Sequence, residues 1–117
     1  MDNERYQQGL QKLSEVDGQE GTDITDSLGD LGRYIVEFAF GDIYSRGTLS
    51  LREREMITIA MLAVLGREPQ LGVHIRAGMH VGLTQEEIEE VIIHSVPYNG
   101  FPTAINALNV LRQNKTV

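Results

Sequence analysis

The chain of 117 residues has no cysteine. That excludes disulfide staples, thiolate nucleophiles and thiol redox chemistry, and it fits a reducing compartment. No apolar run approaches the roughly 20 residues of a membrane-spanning helix. The N-terminal stretch MDNERYQQGLQKL is polar and has no apolar signal core, so the expected location is the cytoplasm. Basic residues are few: 10 Lys and Arg against 17 Asp and Glu give a formal net charge of -7. They form no cluster, which argues against a nucleic-acid reader and against a polybasic membrane anchor. A small anionic partner is still compatible, because local arginines decide that. Period-two apolar alternation is missing over any useful length, so strands are not expected.

What is present is helical periodicity in one domain-sized chain, residues 1–117. The reading is all-α, with about six helices. Residues 1–27 divide into a helix over 3–16, with Tyr6, Leu10 and Leu13 on one face, and the start of a Gly- and Asp-rich linker over 17–30. Residues 28–114 form the core region. LGRYIVEFAFGDIYSRG resumes an apolar pattern, with Leu31, Ile35, Phe38 and Ala39 stacked on one face and Gly41 or Gly47 ending it. SLREREMITIAMLAVLG is the clearest helix, with Ser50 and Glu53 at capping-box spacing and Gly66 as its stop. EPQLGVHIRAGMHVG follows, started by Pro69 and ended by Gly82. TQEEIEEVIIHSV opens on a second capping box, Thr84 and Glu87, and Pro97 is expected to stop or bend the chain. The last helix starts near Pro102 and carries Ala104, Leu108 and Leu111 on one face. MITIAMLAVL is apolar all round apart from Thr58, which predicts burial on every side, by a subunit interface or, alternatively, as a central helix surrounded by its own chain.

The candidate site residues centre on His74. Gln70 precedes it by one helical turn, so both share a face. Glu55 lies early in the preceding helix, well away from the turn at 66–69, so it can meet His74 across the helix pair and give an acid/base pair. The bland alternative for Glu55 is an exposed first-turn carboxylate favoured by the helix dipole. Arg46, in YSRG, is either a grip for a substrate carboxylate or a solvated loop arginine. Tyr98 either lines a pocket or fills the core with its hydroxyl bonded. His94 ranks below His74, and Met56, Met61 and Met79 read as core filler. His74, His80 and His94 have no metal-ligand spacing, since residues six apart fall on different helix faces.

Taken in order, LREREMITIA, QLGVHIRAG, GLTQEEIEEV and YNGFPTAINAL resemble the carboxymuconolactone decarboxylase family over residues 31–111. The resemblance implies an alkylhydroperoxidase-D-like helical fold that assembles into a homo-oligomer, a hexamer or trimer. One branch of that family is a thiol peroxidase using a Cys-x-x-Cys pair. Its Glu and His match Glu55 and His74, but its cysteine positions fall on Arg67 and Gln70, so that chemistry is excluded. The other branch implies a decarboxylase of a small carboxylated lactone in aromatic-compound catabolism, working without metal or organic cofactor. On that reading His74 and Glu55 are catalytic, and Gln70, Arg46 and Tyr98 bind a small anionic organic substrate. Other expectations for the same scaffold are an acid/base enzyme for another small acid, or a non-catalytic oligomeric ligand binder.

Overall fold

The computed structural model describes residues 3–114, and those residues contain helices and turns but no strand. The chain divides into two compact units, one ending at Leu51 and one beginning at Arg52.

The N-terminal unit is built on α1, Asn3–Ser27. It continues through α2, Asp30–Tyr34, which runs directly into a π-helix over Ile35–Tyr44. The expected linker over 17–30 is therefore mostly helix. Gly18 breaks the regular backbone with φ 62 and ψ -145, a left-handed φ that suits glycine, and α1 resumes beyond it. Weak local propensity is overridden by packing. Gly21 and Thr25 are buried, and Gly32 sits so close to the Thr25 carbonyl that a Cβ there would fall 1.8 Å from the oxygen. Gly9 makes the same kind of approach to Val36, where an added Cβ would lie 2.1 Å from the carbonyl oxygen.

These small residues decide which side of the second segment faces inward. Leu31, Ile35, Phe38 and Ala39 do not form the core face. Phe38 is 59% exposed and Leu31 60%, while Gly32, Val36, Glu37, Phe40 and Gly41 are buried. Backbone-to-backbone packing selects the glycine face and leaves the bulky face outside. Gly41 does not end the helix, which continues to Tyr44. Glu37 is buried with its carboxylate on Arg33 Nε at 3.1 Å and Arg5 Nη1 at 3.8 Å. Arg5 also donates through Nε to Asp42 Oδ1 at 2.9 Å. That hydrogen bond holds the Asp42 carboxyl below its ordinary pKa.

The second unit holds four helices: α3 Leu51–Leu65, α4 Glu68–His80, α5 Gln85–Asn99 and α6 Phe101–Gln113. Their shared core includes Ile59, Leu71, Ile75, Ile88, Ile92 and Leu111. Ala104 and Leu111 are buried and Leu108 packs against them, as the α6 spacing predicts. Gly66 (φ 72) and Gly82 (φ 106) end α3 and α4 in the left-handed region. In each case the amide after the glycine bonds back to the carbonyl five residues earlier, Arg67 to Leu62 and Leu83 to Gly78. Both halves of the Thr84–Glu87 capping box are formed at the start of α5.

Two expectations are corrected in this unit. Of the alternatives that Pro97 stops or bends the chain, the stop is excluded, since α5 continues to Asn99. Proline removes one amide donor to the carbonyl four residues back, and here it falls in the exposed last turn, where water satisfies that carbonyl cheaply. Met61 is not core filler but 60% exposed. Ile57 and Leu65 are exposed as well, so α3 buries only the stripe through Glu55, Ile59 and Ala63.

Candidate active site

The buried stripe of α3 carries one charged residue. Glu55 is fully buried, and His74 of α4 meets it with Nδ1 2.8 Å from Oε1. The path from sequence to contact is short. The Gly66 turn reverses the chain, Pro69 starts α4 with φ suited to a first turn, and the two side chains approach each other across the helix pair. A carboxylate taken out of water costs several kcal/mol unless it is paired, by roughly the amount that makes unpaired buried charges rare. The bland reading of Glu55 as a solvated first-turn carboxylate is thereby corrected.

The pairing also assigns the imidazole. A carboxylate only accepts hydrogen bonds, so Nδ1 carries a proton and donates it to Glu55. Nε2 is the second ring nitrogen, on the side away from that contact. The His74 side chain is 20% exposed, so the pair is buried at one end and open at the other. That is the arrangement of a positioned acid/base group.

The other sequence-predicted residues are more scattered. Gln70 lies one turn before His74 on α4 and is exposed, as expected for a residue at the open side of the same helical face. Arg46 is exposed in the turn after the π-helix, within the N-terminal unit. Tyr98 is 79% exposed, so it does not fill the core. It lines a groove of about 790 Å³ between α3 and α5, together with Met56, Ala60, Glu90 and His94. Neither Glu55 nor His74 lines that groove. This groove and the Glu55–His74 pair are thus different places. The pair is the better candidate for chemistry on an anion, because the groove edge carries Glu86, Glu87 and Glu90.

The groove is the feature the sequence reading missed, although a signal was there. Glu86, Glu90, His94 and Tyr98 recur every four residues and so form one ladder along α5. At its start, Arg52 of α3 forms an ion pair with Glu87. The Thr84 amide, and after it Arg52, hold the Glu87 carboxyl below its ordinary pKa. Among the described residues no three His, Asp or Glu side chains converge as a metal site.

An all-helical frame with a half-open carboxylate–imidazole pair and no thiol is not that of a thiol peroxidase. Comparison with known proteins gives the family. The chain belongs to the carboxymuconolactone decarboxylase family, whose model matches residues 29–113. It is similar to the 4-carboxymuconolactone decarboxylase of Acinetobacter baylyi, with 35% identity over 117 residues, 96% of this chain and 87% of the relative. It is also similar to the nitrosuccinic acid decarboxylase of Metarhizium robertsii, with 30% identity over 79 residues, 68% of this chain and 55% of that relative.

Proposed function

We propose that the protein is a carboxy-lyase that decarboxylates a small carboxylated lactone of the 4-carboxymuconolactone type. The observation that carries the reading is the Glu55–His74 pair at 2.8 Å, buried at the carboxylate and open at the imidazole. The names of the two relatives support the reaction class. In such a step the bond between carbon and the carboxylate breaks and CO2 leaves. The electron pair moves into the conjugated lactone carbonyl, giving a dienolate, and a proton is then delivered to carbon. The substrate supplies its own electron sink. The protein's tasks are to hold the carboxylates, stabilise the oxyanion and deliver the proton.

His74 delivers that proton from Nε2 or donates from it to the oxyanion. Glu55 positions the ring and balances the imidazolium charge. Gln70 holds the lactone without adding charge. The exposed apolar stripe of α3, Ile57, Met61 and Leu65, supports assembly of the chain with its own copies.

The test is a spectroscopic assay with 4-carboxymuconolactone generated in place, following lactone loss and CO2 release. Turnover that disappears in His74→Ala supports both reaction and residue. Turnover that survives His74→Ala removes His74 from the mechanism. No turnover by the intact protein rejects this substrate. Light scattering at low concentration tests the assembly, and a monomer there counts against it.

A further inference from the structure

A carboxylated substrate needs a cation beside His74, because the chain is net acidic and Glu55 places a negative charge behind the imidazole. The second unit has few cations to spare. Arg52 is paired with Glu87, Arg76 donates to Asn114, and Arg54 is half-buried and engaged. Arg112 belongs to the last turn of α6, and the end of that helix meets α4 on the Gly72 side. Arg67 is exposed, and its side chain has no hydrogen-bond or ion-pair partner among the described residues. Arg67, Gln70 and His74 are spaced by three and four residues, so they share one face of α4. The neighbouring carboxylate, Glu68, lies on another face, where it lines a cavity with Gly72 and Arg76. Local stability does not account for an arginine at this position. Arg67 is the N-cap of α4 and makes no side-chain cap bond. Ser, Thr, Asp and Asn are favoured there, and the positive end of the helix dipole opposes a cation while drawing in an anion. A local rule broken without a structural gain points to a functional site.

We infer that Arg67 is the substrate-binding residue that grips the carboxylate the substrate keeps, so that the substrates are dicarboxylates from which one carboxyl group is removed. The inference rests on the decarboxylation proposed above. Seven residues of helix separate Arg67 from His74, about 10 Å along the axis. Helical side chains lean towards the N-terminus, which brings the imidazole nearer the guanidinium, and a small dicarboxylate bridges the remaining gap. The guanidinium takes the retained carboxylate through two parallel N–H bonds, Gln70 lies between, and the departing carboxyl sits at the His74 end. The assignment to the retained group follows from charge. A guanidinium on the departing carboxylate would stabilise a charge that vanishes as CO2 forms, and so would favour the ground state over the transition state. On the retained carboxylate it binds both states equally and fixes which end of the molecule meets His74.

The test uses adipate, a saturated dicarboxylate with no electron sink and hence no reaction, and its monomethyl ester. Both are titrated into the full chain by calorimetry at neutral pH and fixed salt. The expected result is saturable binding, with the diacid preferred about tenfold. Arg67→Gln is expected to abolish the preference at unchanged melting temperature. Arg67→Lys should keep part of it, since the charge remains without the planar fork. Arg112→Gln should leave it whole. The inference is overturned if adipate does not bind saturably, if the intact protein shows no preference, or if the preference survives Arg67→Gln. A fall of several degrees in melting temperature in both Arg67 variants overturns it as well, since Arg67 is then structural. Where the lactone turns over, Arg67→Gln should raise KM about tenfold and leave kcat within about twofold. A loss confined to kcat would place Arg67 on the reacting carboxyl and overturn the assignment. Adipate binding does not depend on turnover. An Arg67-dependent preference without lactone loss rejects the proposed reaction alone, and lactone loss with a preference indifferent to Arg67 rejects this inference alone.

Discussion

The most informative perturbation is a double-mutant cycle on Glu55 and His74. The magnitude follows from the geometry. A hydrogen bond to a charged group contributes about 1.5–3 kcal/mol, and breaking a wholly buried ion pair costs about 3–5 kcal/mol. Glu55 is fully buried but His74 is 20% exposed, so truncating the imidazole admits water to the carboxylate. His74→Ala should therefore cost about 2 kcal/mol, near the lower range. Glu55→Gln keeps an acceptor oxygen for His74 Nδ1 and should cost about 1 kcal/mol. Together the two should be less destabilising than their sum by about 1 kcal/mol, because the second change has no pair left to break. The assay is urea unfolding followed by far-UV circular dichroism, at one protein concentration so that assembly does not shift the midpoint. Additivity within about 0.4 kcal/mol would refute the contact in solution. Kinetics separate the roles. Loss of a general acid typically costs about 10²–10⁴ in rate, which is the expectation for His74→Ala. Glu55→Gln should lower kcat by less and leave KM unchanged, as befits a positioning residue. A rise in KM alone would instead make Glu55 a binding group.

Other expectations follow from single features. Thr84→Ala removes the α5 cap and should cost about 1 kcal/mol, read as a fall of a few degrees in melting temperature. Gly32→Ala drives a Cβ into the Thr25 carbonyl and should destabilise the N-terminal unit by about 3 kcal/mol or more, read by hydrogen exchange in α1. Asp42 and Glu87 both have pKa values lowered by folding. Their contributions are present above the ordinary carboxylate range and are lost as pH falls through the lowered folded values. Asp42→Asn with Glu87→Gln should flatten the acid side of a melting-temperature profile, and an unchanged slope would refute the assignment.

The sequence was most legible where local rules and tertiary packing agree. The Thr84 capping box and the glycine ends of α3 and α4 follow from spacing, and the approach of Glu55 to His74 is one of the two readings that spacing leaves open for Glu55. It was least legible where a backbone approaches another backbone. No apolar period announces that Gly9 and Gly32 will set the packing of the N-terminal unit, and by spacing the bulky stripe through Leu31 and Phe38 reads as the core. The helix across 19–27 was hidden for the same reason, its burial resting on Gly21 and Thr25 rather than on large side chains. Tyr98 shows a different limit. Nothing in the spacing around it separates a ring that fills the core from one that stands 79% exposed beside a groove.

The π-helix over Ile35–Tyr44 has a consequence for how the chain tolerates changes in length. Each of its hydrogen bonds closes a ring one residue larger than an α-helical ring. A residue deleted inside an α-helix turns everything beyond it by about 100°. In this segment a shortened ring can close as α instead, so a deletion converts geometry locally before it propagates. The stretch acts as a slack coil, a place where neighbouring sequences can differ by one residue in number. The cost falls on phase, because the residues beyond a tightened turn rotate relative to those before it, while Val36 and Phe40, four residues apart, share a face in either geometry.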